Sequence, residues 1–319
     1  MVRLSRSTRW FLALTPVLLV LWFGRSYRLP MPRRAINLNK GRIWEHRSRI
    51  DAKGVEQVWV PPGCFEMGSS LAEDPHASAV ETPRHTVCIS AGFWLDRFEV
   101  TNQSFTRFVR EGGYLERRYW SEEGWRVHQD RPNPYPDLPQ FSGSLQPKVK
   151  MSWYEAEAYA VWRGGVLPTE AQWEWAARGP GSQKFPWGET FHDGLSNMDR
   201  LDLRRTTPVG SYPGGRSWCG VEDMAGNVAE WVADGWDPEA YRHAPLSDPF
   251  TLPRGPLRIL RGGSWGGITG GSASDLRSAR RVAFGAEHRK LSHGTRIATL
   301  EQPTGRQALP VSVPSAAQQ

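Results

Sequence analysis

The rhythm of hydrophobic and polar positions changes several times along this chain, and each change marks an element. Trp10 to Gly24 (WFLALTPVLLVLWFG) is uncharged and shows no alternation. Two short β-like runs flank Pro61-Pro62-Gly63 within Val55–Gly68, and His85–Ser90 and Phe93–Val100 read as further strands. Thr101 is placed to cap a short helix that shows Phe105, Phe108 and Val109 on one face, and Gly112-Gly113 end it. Ser152-Trp153-Tyr154-Glu155 and Thr169-Glu170-Ala171-Gln172 both have capping-box spacing, in which residue and amide satisfy each other three positions apart. The helices they open stop at Gly164-Gly165 and at Gly179. From Phe185 onward the pattern is loops with short strands at Phe185–Gly188, Pro208–Ser211, Arg258–Trp265 and Gly294–Ala298. A few helices inside a loop-rich β framework make an α+β domain.

Composition supports that picture. Sixteen Trp with 32 Gly and 25 Pro describe many turns pinned by large aromatic anchors and argue against a helical bundle. Trp153, Trp173, Trp175, Trp187 and Trp231 are expected to be mainly core anchors. The net charge of +7 points to nucleic acid only until it is located. Residues 1–50 hold eleven Lys/Arg against the single acid Glu45, a surplus larger than that of the whole chain, so the folded part is mildly acidic. No nucleic-acid footprint remains, and the basic residues read as membrane flanks.

The apolar run spans roughly 22 Å as a helix, with tryptophans at its ends and arginines beyond them. No A-x-A-like site follows it, which favours an uncleaved signal anchor over a cleaved signal peptide. The expected organisation is a basic N-terminus (1–9), a transmembrane signal anchor (10–24), a basic linker (25–54), one domain (55–300) and a disordered tail (301–319). The body is expected on the extracytoplasmic side of a membrane. Cys64 and Cys88 each sit in a β-like run, and export would let them form a disulfide, leaving Cys219 free. The eight histidines form no H-x-x-x-H pair and read as solvated loop residues. Arg277, Arg280 and Arg281 are expected to pair with acids.

Several strings in order resemble the formylglycine-generating-enzyme (sulfatase-modifying-factor) family: Val58–Pro61 with Gly63–Gly68, Glu81–His85, Phe98–Asn102, Leu167–Gly179 (LPTEAQWEWAARG), Asp223–Trp231 (DMAGNVAEW), Arg261–Trp265 (RGGSW) and Gly294–Arg296. The resemblance covers about residues 55–300 and implies a loop-rich variant of the C-type-lectin-like fold. The family's oxidases carry two copper-binding cysteines shortly after the RGGS-aromatic motif. Here those places hold Gly267 and Ser272 or Ala273, and no cysteine follows Cys219. Ala229 stands where many members have the tryptophan of N-x-W-E-W. Soft Cu(I) needs thiolates that this segment lacks, so copper is not expected. Relatives acting as iron-dependent sulfoxide synthases carry an extra helical domain with metal-binding histidines, for which these 319 residues leave no room.

Calcium is expected, because the resemblance carries over an oxygen-only ligand set: Asp223, the Gly226 and Val228 carbonyls, and Glu230. A further set would be Asn197, the Met198 carbonyl, Asp202 and the Arg204 carbonyl. Ser264, Trp265 and Arg281 are the pocket candidates. Three functions stay open: a binding or maturation factor taking an unidentified protein, peptide or small-molecule ligand; a cysteine-independent oxidoreductase resembling pyoverdine-maturation proteins; and an envelope-complex scaffold.

Overall fold

The computed structural model describes residues 47–198, 203–266 and 269–301. In chain order these form β1 (Ser48–Ile50), β2 (Glu56–Val60), β3 (Gly63–Met67), β4 (His85–Ile89), β5 (Phe93–Asp96), α1 (Asn102–Arg110), α2 (Glu122–Asp130), α3 (Trp153–Arg163), α4 (Glu170–Arg178), β6 (Ala229–Gly235), α5 (Ala240–His243), β7 (Leu257–Arg261), β8 (Arg281–Gly285), β9 (His293–Gly294) and β10 (Ala298–Leu300). The strands make three sheets, ordered β1-β2-β5-β10, β3-β4 and β8-β7-β6-β9. The architecture is α+β and loop-rich.

Both capping boxes form. Ser152 accepts from the Glu155 amide and Glu155 returns to the Ser152 amide, while Thr169 and Gln172 do the same for α4. Ser121 caps α2, a helix the sequence pattern did not announce. These caps matter because α3 and α4 lie across the sheets with nearly all their residues buried, where unpaired amides would be costly.

Two large apolar cores and two small apolar clusters result. One core packs Val60, Phe65, Phe93 and Leu95 against Trp173 and Trp175 of α4. The other packs Phe105, Phe108, Tyr159 and Trp162 with Trp153 and Trp231. Three of the anchoring indoles also find backbone partners: Trp231 Nε1 donates to Met151 O, Trp153 to Val232 O and Trp175 to Pro61 O. A buried indole needs that partner.

Three expectations change. Strand β1 pairs in register with β2, Ser48 opposite Val58, so the domain begins before residue 55 and the end of the supposed linker is folded. Two histidines are core residues instead of solvated ones: His128 stacks on Trp120 with ring centroids 4.5 Å apart, and His293 lies between Trp231 and Phe284. Pro208–Ser211 is loop and turn. The apolar run 10–24, the residues up to 46 and the tail from 302 lie outside the described residues. Among the described residues no helix is long and apolar enough to cross a membrane.

Cys64 and Cys88 face each other across β3 and β4 and are joined by a disulfide, S–S 2.08 Å. Cys219 is free and buried.

Candidate functional site

The third sheet aligns the charged residues at the centre of the molecule. Glu230 on β6 lies opposite Arg261 on β7, which lies opposite Arg281 on β8. From that row two buried polar clusters grow on either side of Trp173.

On one side, Arg261 reaches Glu170 (3.0 Å) and Glu174 (2.5 Å). Arg178 takes the other oxygen of Glu174 at 2.8 Å, and Arg281 binds both oxygens of Glu170 at 2.8 and 2.9 Å. Burial pushes the Glu174 carboxyl up, but Arg261 and Arg178 pull it below its ordinary value on balance. Arg281, expected to join Ser264 and Trp265 in a pocket, does not. Its guanidinium is held by Glu170 and covered by the rings of Trp236 and Tyr241, at 4.7 and 4.4 Å, so its role is structural. Arg277 likewise pairs with Glu81 and Asp74.

On the other side, Arg296 holds Glu230 with two bonds of 2.7 Å, and Trp173 Nε1 adds a third at 2.8 Å. Asn227 then links two further side chains, Glu99 and Asn197. Its amide donates to Glu99 (3.3 Å) and accepts from Asn197 (3.2 Å), while the preceding turn contains Asp223, whose carboxylate accepts from the Gly210 amide at 2.6 Å. Asp223 and Asn227 both adopt positive φ, and Gly226 between them packs so closely that an added Cβ would lie 2.3 Å from Asn197 O. Only glycine fits there.

This second cluster is short of positive charge. Burial, then Asp223, raise the Glu99 carboxyl well above its usual range, with Glu230 adding to the effect. Asp223 is pushed up to about 6, chiefly by burial, with Glu222 and Glu230 acting in the same direction. Glu99 Oε1 and Asn197 Oδ1 are buried with no hydrogen-bond partner. Such oxygens are what a hard cation would satisfy. The residues gathered here overlap the expected set and add to it. Glu230 is committed to Arg296, and Glu99, absent from the expectation, sits beside Asp223. Met198 is buried in a small apolar cluster, Arg204 has positive φ, and Asp202 lies outside the described residues. Among the described residues no three His, Cys, Asp or Glu side chains converge as a preformed metal centre. Val228 packs against Phe141 and Val149.

The RGGSW segment turns at Gly262 and Gly263, both with positive φ, the second with the Asp275 carbonyl where a Cβ would lie. Ser264 is fully buried; its hydroxyl bonds to Gly266 O and Thr269 Oγ1, both at 2.8 Å. Trp265 donates to Leu291 O and leans on Phe141. Ser264 is thus bonded within the fold, and Trp265 is half-buried. Next to them, however, Ser272 and Ala273 line an open cleft of about 510 Å³ with Phe185, Phe191, His76 and Lys184. It adjoins a polar recess of about 280 Å³ that shares Lys184 and includes Asp74 and Arg277. Gly267 lies outside the described residues.

A sequence profile described as the sulfatase-modifying factor enzyme 1-like domain matches residues 45–300. The hercynine oxygenase of Mycolicibacterium smegmatis is 36% identical over 233 residues, 65% of this chain and 54% of that protein. The chain thus spans about half the length of the hercynine oxygenases it matches. The formylglycine-generating enzyme of Thermomonospora curvata is 35% identical over 272 residues, 67% of this chain and 83% of that enzyme. Among solved structures, PvdO from Pseudomonas aeruginosa superposes with a TM-score of 0.65 at 24% identity, covering 81% of this chain and 99% of that one, a likeness of fold. The chain belongs to the sulfatase-modifying-factor, or formylglycine-generating-enzyme, family.

Proposed function

We propose that this domain is a binding or maturation factor that works without copper–thiolate oxidation, taking its ligand in the cleft beside Ser272 and Ala273. The observation that carries the reading is where the sulfur goes. The chain has three cysteines. Cys64 and Cys88 are spent on the β3–β4 disulfide, and Cys219 lies in the first core with its thiol directed to Ala176 O and Ser217. Burial pushes that thiol up to about 11, so it is not a thiolate near neutral pH. A hydroxyl at Ser272, bonded to Asp275 at 2.7 Å, offers soft Cu(I) nothing comparable. The protein loaded with Cu(I) and given a sulfatase-type cysteine peptide is therefore expected to yield no formylglycine by mass spectrometry. Copper-dependent product would overturn the proposal.

A structural calcium ion accompanies this reading, held by Glu99, Asn197 and Asp223, with carbonyls of the Gly226–Val228 turn. The unpartnered oxygens and the surplus of acid over Arg296 support it. The ion would supply charge compensation for the turn and take no part in a reaction. The run 10–24 would tether the domain on the extracytoplasmic side, which the Cys64–Cys88 bridge suits.

A cysteine-independent oxidoreductase is the second reading, favoured by the 36% identity to a hercynine oxygenase. Oxygen consumption on supply of a thiol and ferrous iron would select it over the first.

A further inference from the structure

Strands β3 and β4 form a sheet of two strands, and its two faces differ. The inward side chains Phe65, Met67, Val87 and Ile89 belong to the first apolar core. The outward face carries the Cys64–Cys88 bridge, with Cys64 exposed and Cys88 half-buried.

Each strand holds one further segment in place. On the β3 side, Glu66 N donates to Ser182 Oγ (2.9 Å), Gly68 N to Glu174 Oε1 (2.8 Å) and Ser69 N to Glu81 O (2.8 Å), while Gly68 O accepts from Arg178 (2.6 Å). Gly68, Ser69, Ser70 and Ser182 are wall residues of the polar recess. That recess shares Lys184 with the cleft beside Ser272 and Ala273. On the β4 side, Cys88 N donates to Leu246 O (2.7 Å) and Cys88 O accepts from Asp248 N (2.9 Å). The Asp248 carboxylate accepts the Ser90 amide at 2.9 Å. Cys88 thus turns its backbone groups away from β3, as residues of a non-hydrogen-bonded antiparallel pair do. Between these two opposed residues the link is the sulfur bridge.

We infer that the bridge is a redox-responsive clamp on the recess, closed when oxidised and opened by a dithiol. As regulation of ligand binding, it rests on the proposed use of the neighbouring cleft. Exposed disulfides are the ones an external thiolate reaches. The first thiolate of the dithiol attacks the sulfur of Cys64, and Cys88 leaves as a thiolate and takes a proton. The second thiolate attacks the reagent's own sulfur in the mixed disulfide, releases Cys64 as the other thiol and closes the reagent's disulfide. Two electrons pass to the bridge, and the two protons of the dithiol end on Cys64 and Cys88. The four core-facing side chains keep both strands seated, so the opening is local: it loosens β3, the 68–74 segment and the 244–250 segment. Cys219, buried in the core, takes no part.

The test uses the full-length protein with dithiothreitol as the dithiol. Under native conditions, reduction followed by alkylation and mass spectrometry should modify Cys64 and Cys88 and spare Cys219. Hydrogen–deuterium exchange of the reduced protein should be about tenfold faster over residues 63–74 and 244–250 and unchanged over α3. The Cys64→Ser/Cys88→Ser double variant should exchange like the reduced protein, and dithiothreitol should no longer alter it. Reduction that needs denaturant, exchange that is equal in the two states, or a rise that is as large in α3 overturns the inference. If the double variant does not fold, the two arms on the unmodified chain still decide. Neither readout involves copper, a ligand or a product, so failure here leaves the proposed function standing, and formylglycine formation would overturn that proposal without touching the clamp.

Discussion

The two polar clusters on either side of Trp173 are built from the same residue types and reach opposite electrostatic ends. Around α4, the carboxylates of Glu170 and Glu174 face the guanidinium groups of Arg178, Arg261 and Arg281, and Glu174 titrates below its ordinary value. Around the Asp223–Glu230 turn, the acids Glu99, Asp223 and Glu230 share one guanidinium, Arg296, and Glu99 and Asp223 titrate high. The first cluster is closed: each carboxylate is bonded to two guanidinium groups. The second is open by about one positive charge or more. A buried site that gathers acids without matching arginines is therefore the place to look for a cation, and a site that gathers both is scaffolding.

The largest expected effect comes from opening the closed cluster. Arg261→Met should leave Glu174 with Arg178 alone and cost about 3–5 kcal/mol in urea unfolding, the range for stranding a buried charge. A loss under about 1 kcal/mol would mean that the cluster is wetter or looser than its geometry indicates.

Closing the open cluster is the next test. Free calcium at about 100 times its Kd should stabilise the protein by roughly 2.7 kcal/mol, seen as a higher Tm than in chelator. Glu99→Gln should abolish that difference while changing the chelator Tm little, because Gln mimics the neutral acid. Identical melting curves with and without calcium would remove the ion from the proposal.

The last test, read as a slope against pH instead of a single shift, concerns Asp234, which borders the closed cluster without a cation of its own. Burial, then Glu170, raise its carboxyl from the ordinary 3.8 to about 7. The folded state therefore holds a proton that the unfolded chain releases, and the associated stability is full below pH 3.8 and lost as pH rises through about 7. The slope should reach at most about 1.4 kcal/mol per pH unit, and Asp234→Asn should flatten it in urea midpoints taken between pH 4 and 7.

What the residues revealed on their own follows from the range of the interactions involved. Both capping boxes were legible because they are closed within four residues. The family motifs announced Asp223, Gly226 and Glu230 for the same reason. Strand β6 was not legible: all but one of its seven residues are buried, so the alternation that marks a half-exposed strand is missing. Helix α2 was hidden by a mostly polar sequence with a glycine inside it. The partners of the site were hidden by distance along the chain. Arg296 stands 66 residues from Glu230 and Glu99 stands 128 from Asn227, and no local pattern records such a meeting. Arg281 was expected both to pair with an acid and to line a pocket, and the β7–β8 register turns it towards Glu170, so the pairing is what forms.

Strand β1 has a mechanical consequence. Ser48, Val58, Leu95 and Ala298 lie in one lateral row across the first sheet, so the first and last strands of the domain are its two edges. Three strand spacings of about 4.8 Å put the two ends of the fold only roughly 14 Å apart. A fold whose entrance and exit are such near neighbours behaves as a cassette: it can be spliced into a surface loop of another protein, or strung between other modules, without prising the host apart. Domain grafts joined through residues near 47 and 301 should fold inside a host, and the same adjacency marks this domain as a candidate for circular permutation.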